Sequence, residues 1–158
     1  MNKKPLLTFI CCICLIPSLL LDACGTADSS AGIPKQSEYG VFLSVTENLQ
    51  QLDSYKTIVI DAQYFTAEEI QDFRNGGHKD YSYINVGALE DFRDYYDEYK
   101  DLALGKYEHW DEEVWINVAD HRWQDFILKK LGREISDKGI DGFFVDNCDV
   151  YFNYPQST

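Results

Sequence analysis

The chain has 158 residues, a formal net charge of −13 and an aromatic content of 15%. So acidic a surface argues against nucleic acids and anionic polymers as partners and suits neutral or cationic ones. The apolar content is that of a globular domain, which excludes a disordered chain.

The chain opens with an export segment. Lys3 and Lys4 form a short basic region, and the apolar stretch Leu6 to Leu21, interrupted by Pro17, is too short for a comfortable membrane span. It ends in Leu21-Asp22-Ala23-Cys24-Gly25, which resembles a bacterial lipobox with Asp22 in a slot that usually holds a small or apolar residue. Residues 1–23 are therefore expected to be a lipoprotein signal peptide, with Cys24 carrying the lipid. The mature protein is expected at the cell membrane, lipid-anchored on the extracytoplasmic face without crossing the bilayer. Cys11, Cys12 and Cys14 leave with the signal and Cys24 is modified, so Cys148 stays alone and no intrachain disulfide is available. Residues 24–38 are small and polar and read as a flexible tether.

The folded domain is expected over residues 39–158, with short apolar runs alternating with helical segments. Val41-Phe42-Leu43 is a first strand, followed by a helical stretch with Leu49 and Leu52. Thr57 to Ile60 is a second strand ending in Asp61; the helix after it starts at a capping box, Thr66-Ala67-Glu68-Glu69, and stops at Gly76-Gly77. Tyr81 to Val86 is a third strand, and a charged helix is expected over Asp91 to Lys100. Residues 101–113 are a longer excursion with Tyr107, His109 and Trp110, and Val114 to Val118 is a short strand of unassigned sheet. Trp123, Ile127, Leu131 and Ile135 recur every four residues and mark one helical face, which Gly139 ends. Phe143-Phe144-Val145 reads as a buried strand leading into Asp146-Asn147.

Repeated strand–helix units imply an α/β fold, a parallel sheet with outer helices, either doubly wound or a (β/α)₈ barrel. No Gly-rich phosphate loop follows a strand, which weakens a nucleotide site. The informative regularity is an acid just past each strand: Asp61, Glu90, Asp120 and Asp146. In parallel α/β folds the carboxyl ends of the strands open onto one face, where ligands bind. Paired carboxylates of divergent pKa are what glycoside hydrolysis uses. Asp120 fits a helix N-cap equally well, and Glu90 also fits a first helical turn. The spacing of Asp141, Asp146 and Asp149 matches no calcium loop, and His78, His109 and His121 have no metal-ligand spacing, so no metal is expected. Trp123 belongs to the core; Trp110 is the better candidate for stacking on a sugar.

Gly139-Ile140-Asp141-Gly142-Phe143-Phe144-Val145-Asp146-Asn147-Cys148-Asp149 resembles the signature of glycoside hydrolase family 114, the endo-α-1,4-polygalactosaminidases. Tyr39-Gly40-Val41-Phe42, Val59-Ile60-Asp61-Ala62 and Tyr83-Ile84-Asn85-Val86-Gly87 with Glu90 support it. The resemblance implies a (β/α)₈ TIM barrel of which this chain holds about the first half. It implies hydrolysis without a cofactor, a catalytic carboxylate, the nucleophile, at Asp146, and a sugar subsite lined by Asp61, Glu90, Asn147 and Asp149. The second catalytic carboxylate would lie beyond Thr158, which implies that the chain alone is inactive. The expected partner is a polysaccharide or amino-sugar oligosaccharide, with self-association through open sheet edges. The alternatives are a non-catalytic carbohydrate-binding surface lipoprotein and a truncated product without function.

Overall fold

The structure, a computed structural model, describes residues 37–157. The expected signal peptide 1–23, the lipidation site Cys24 and the tether up to residue 36 lie outside the described residues. Ser37 and Glu38, expected in the tether, already belong to the first strand. The strands are β1 (Ser37–Phe42), β2 (Tyr55–Ile60), β3 (Lys79–Asn85), β4 (Ala88–Glu90), β5 (Ala103–Lys106), β6 (Glu113–Ile116) and β7 (Gly142–Asp146). The helices are α1 (Ala67–Asn75), α2 (Tyr96–Tyr99), α3 (His121–Asp125), α4 (Gly132–Asp137) and α5 (Val150–Asn153), with a π-helical stretch, Phe126–Leu131, joining α3 to α4.

Four strands form a parallel sheet in the order β1-β2-β3-β7. This is the expected α/β architecture, a partial barrel with helices on its outer side. Side chains alternate across each strand. Ile58, Ile60 and Ile84 face the helix layer and join Leu49, Leu52, Ile70, Phe73, Trp123 and Ile135 in one buried cluster. The opposite parity carries Tyr83 and Asn85, level with Phe144 and Asp146 of β7. No helix of the described residues is long and apolar enough to cross a membrane.

Local signals set the helix boundaries. Thr66 caps α1 by accepting from the Glu69 N–H at 3.2 Å while the Glu69 carboxylate accepts from the Thr66 N–H at 2.8 Å. Thr66→Ala is expected to destabilise the fold by about 1 kcal/mol in urea denaturation, the usual worth of such a cap. Gly77 leaves the helix at φ 91°, open to glycine at no steric cost. The stripe Trp123, Ile127, Leu131 and Ile135 is buried throughout. A pure α-helix would rotate residues four apart by about 40° per step. The wider π-helical turn brings the stripe back onto the sheet.

Two expectations are corrected and one open assignment is settled. The helix over Asp91–Lys100 shrinks to the four residues of α2, because Arg93 turns inward to buried carboxylates and holds the preceding chain in turns. Val114 to Val118 lies outside the main sheet: β6 is the middle of a separate antiparallel sheet, β4-β6-β5, built from the excursion. Phe143-Phe144-Val145 is not buried; the three side chains are 37%, 41% and 48% exposed. Among the described residues β7 has β3 as its single neighbour, so both of its faces stay partly open.

Candidate active site

Because β2, β3 and β7 are parallel, their carboxyl ends share one edge. Asp61 follows β2, Asn85 ends β3 and Asp146 ends β7; Asn85 and Asp146 are register partners. The β4-β6-β5 sheet adds Glu90 and Glu113, themselves paired across the antiparallel ladder. Two groups of acids result, and their surroundings differ.

The first group is fully buried. Asp61 and Glu90 are 3% and 5% exposed, and Arg93 lies between them, its Nη1 2.7 Å from Asp61 and its Nε 2.5 Å from Glu90. The Tyr83 hydroxyl donates to Glu90 at 3.1 Å. Asp61 also accepts from the Gln63 backbone N–H at 3.1 Å, capping the short turn after β2. Burial works against the charge of Arg93, but the hydrogen bond to Glu90 and the charges of Asp61 and Glu90 hold its pKa above the ordinary range. The Tyr83 phenol is pushed up by burial and by the charges of Glu90, Asp146 and Glu113, and stays a donor. Asp61 and Glu90 are thus committed to Arg93.

The second group is Asp146 and Glu113. Asp146 is half-buried and accepts from the Asn147 backbone N–H at 2.9 Å. Asn147 is buried at φ 55°, a left-handed conformation that asparagine tolerates better than most residues. Its amide donates to Asn85 Oδ1 at 3.0 Å and to Glu113 Oε2 at 3.2 Å. Asn85 Nδ2 reaches the same Glu113 oxygen at 3.3 Å. Burial and the neighbouring Glu90 charge raise the pKa of Glu113, with Asp146 adding to the rise, against the lowering effect of the two amides.

The remaining candidates are scattered. Asp149 is exposed at the start of α5 and makes no capping hydrogen bond. Trp110 is 62% exposed in the turn between β5 and β6. Asp120 caps α3, accepting from the Arg122 N–H at 2.8 Å. Cys148 is exposed, because it follows the tight turn at Asn147 on the open side of β7. Among the described residues no group of three His, Cys, Asp or Glu side chains is placed to hold a metal ion. Sequence reading missed Glu113 and Arg93. Asn85 and Asn147 lie far along the chain from Glu113, as Asp61 does from Arg93; Glu90 three residues before Arg93, and a charged residue at the head of Val114-Trp115-Ile116, are the local hints.

Carboxylates gathered at the carboxyl edge of a parallel partial barrel are the arrangement of barrel glycoside hydrolases, and fold comparison returns that class. The glycoside hydrolase domain of PelA from Pseudomonas aeruginosa superposes with a TM-score of 0.63 at 18% identity, covering 73% of this chain and 46% of that one. Ega3 of Aspergillus fumigatus, solved in complex with galactosamine, gives 0.64 at 27% identity, covering 76% of this chain and 47% of that one. The chain therefore spans just under half the length of both. No curated protein matches. The family model of glycoside-hydrolase family GH114 matches residues 23–158, and the chain belongs to that family.

Proposed function

We propose that this protein acts on α-1,4-linked galactosamine-type polysaccharide, with Asp146 as the carboxylate that attacks the anomeric carbon. The observation that carries the reading is the contrast between the two acid groups. Asp61 and Glu90 are consumed by Arg93, whereas Asp146 is left half-open and held by one backbone N–H. Family membership supports the reaction class, and the galactosamine bound to Ega3 supports the sugar. A cationic amino sugar suits a chain of net charge −13. Attack also needs a proton donor for the leaving oxygen. The resemblance assigns that donor to a barrel strand later than β7. Lipid attachment through Cys24, on the extracytoplasmic face, completes the proposal.

Binding of de-N-acetylated galactosamine oligomers to the purified chain tests it by calorimetry, with the N-acetylated oligomers as control. Asp146→Asn is expected to weaken binding of the cationic oligomer by about tenfold, the usual scale of one charge-assisted contact. Equal affinity for the two oligomers, or no binding at all, would overturn the substrate assignment. Copies of the chain are also expected to associate through the open sheet edges, which sedimentation at increasing concentration would show.

A further inference from the structure

We infer that Glu113 is a positioning residue for the proposed nucleophile: its Oε2 anchors the side chain of Asn147, the residue whose backbone N–H donates to Asp146. This rests on the reading of Asp146 given above.

The geometry forms a closed relay across the two sheets. Asn147 follows Asp146 directly; its backbone N–H donates to the Asp146 carboxylate at 2.9 Å, and its own φ is 55°. A left-handed non-glycine residue costs of order 1 kcal/mol or more and persists only where its surroundings fix it. Three features fix this one. Its side chain is tied to Asn85 at 3.0 Å and to Glu113 at 3.2 Å. Asn85 is anchored in turn, its Oδ1 accepting from the Ala88 N–H at 2.9 Å and its Nδ2 reaching Glu113 at 3.3 Å. The backbone carbonyl of Asn147 lies so close over Gly87 that a Cβ there would fall 1.8 Å from its oxygen. Both amides converge on one oxygen of Glu113, which comes from β6, in the other sheet.

Glu113 is therefore the acceptor on which the turn closes. A half-buried carboxylate near Glu90 and Asp146 is unfavourable by itself, and the two amide donors offset part of that cost. An apolar side chain at this position would leave the Asn85 amide without its acceptor and the Asn147 amide with Asn85 alone, so nothing would then tie Asn147 to the second sheet.

Hydrogen exchange read by NMR at the Asn147 backbone amide tests the assignment, beside calorimetric binding of the galactosamine oligomer. In Glu113→Leu the amide is expected to exchange about tenfold faster and the oligomer to bind about tenfold more weakly. Glu113→Gln keeps a neutral acceptor at the same place and is expected to restore both readouts to within about threefold of the native chain. Asn147→Gly serves as the second variant: it tolerates the positive φ and keeps the backbone N–H but cuts the tie to Glu113, and it should reproduce the faster exchange at that amide. Native protection in both Glu113→Leu and Asn147→Gly would overturn the proposal, as would failure of Glu113→Gln to restore it. Absence of oligomer binding by the native chain would sink the substrate reading, while the exchange readout would still decide the role of Glu113.

Discussion

Replacing Arg93 by methionine is expected to destabilise the fold by about 3–5 kcal/mol, the range for breaking a buried ion pair from one side. Methionine fills much of the same space, so packing is not the origin of the loss. Asp61 and Glu90 would be left charged, buried and adjacent, with no cation between them. Lysine should recover part of the loss at most. Arg93 uses Nε for one carboxylate and Nη1 for the other, a fork that a single ammonium does not reproduce. The effect should reach the site as well, because Glu90 anchors the Tyr83 hydroxyl and pairs with Glu113 in the β4–β6 ladder. Urea denaturation of the three chains measures the first effect. An arginine-to-methionine loss below about 1 kcal/mol would mean that the triad is solvated in solution, because exposed ion pairs are worth no more than that.

The second large effect sits at the opposite end of the sheet and depends on pH. Asp80, near the amino end of β3, is fully buried. Neither of its carboxylate oxygens is hydrogen-bonded, and Arg74 Nε stands 3.5 Å away without a bonding geometry. Arg74 is better engaged elsewhere, with Asp141 at 3.1 Å and with the Gly139 carbonyl. Burial, followed by the adjacent Asp141 carboxylate, pushes the Asp80 pKa from an ordinary 3.8 up to about 7, against the pull of Arg74. For Asp141 burial pushes upward too, but the Asp80 N–H and Arg74 outweigh it and hold that pKa below the ordinary value. An acid whose folded pKa is raised keeps its full contribution below its unfolded value and loses it as pH rises through the folded one. Stability should therefore decline between about pH 4 and pH 7, by up to roughly 4 kcal/mol at 1.36 kcal/mol per unit. Asp80→Asn removes the titration, so the curve should flatten over that window and the variant should exceed the parent at pH 8. A parent whose stability rises from pH 4 to pH 7 while the variant tracks it would refute this account.

What the sequence disclosed, and what it did not, divides along the range of the interactions. The parallel strands, the Thr66 cap and the glycine stops at Gly77 and Gly139 are written within a few neighbouring residues. Acids at strand ends were equally visible, because strand direction alone sends Asp61 and Asp146 to one edge. Their division of labour was not visible. Arg93 meets Asp61 across 32 positions of chain, and the Glu113–Asn147 contact spans 34, so no local pattern foretells either. The apolar run Phe143-Phe144-Val145 misled for a related reason. Hydrophobicity states what a strand would bury if covered, and among the described residues β7 is covered on one edge alone.

That lone neighbour bears on the mechanics of the proposed attack. Asp146 sits at the tip of β7, so every flexing of that strand against β3 moves its carboxylate with it. Reaction rates fall steeply when a reacting atom strays by an ångström. A second strand hydrogen-bonded along the free side of β7 would act as a brace as much as a source of further side chains. Stiffening by such a brace should be felt first as narrower fluctuation of a single carboxylate, before any new chemical group enters the pocket.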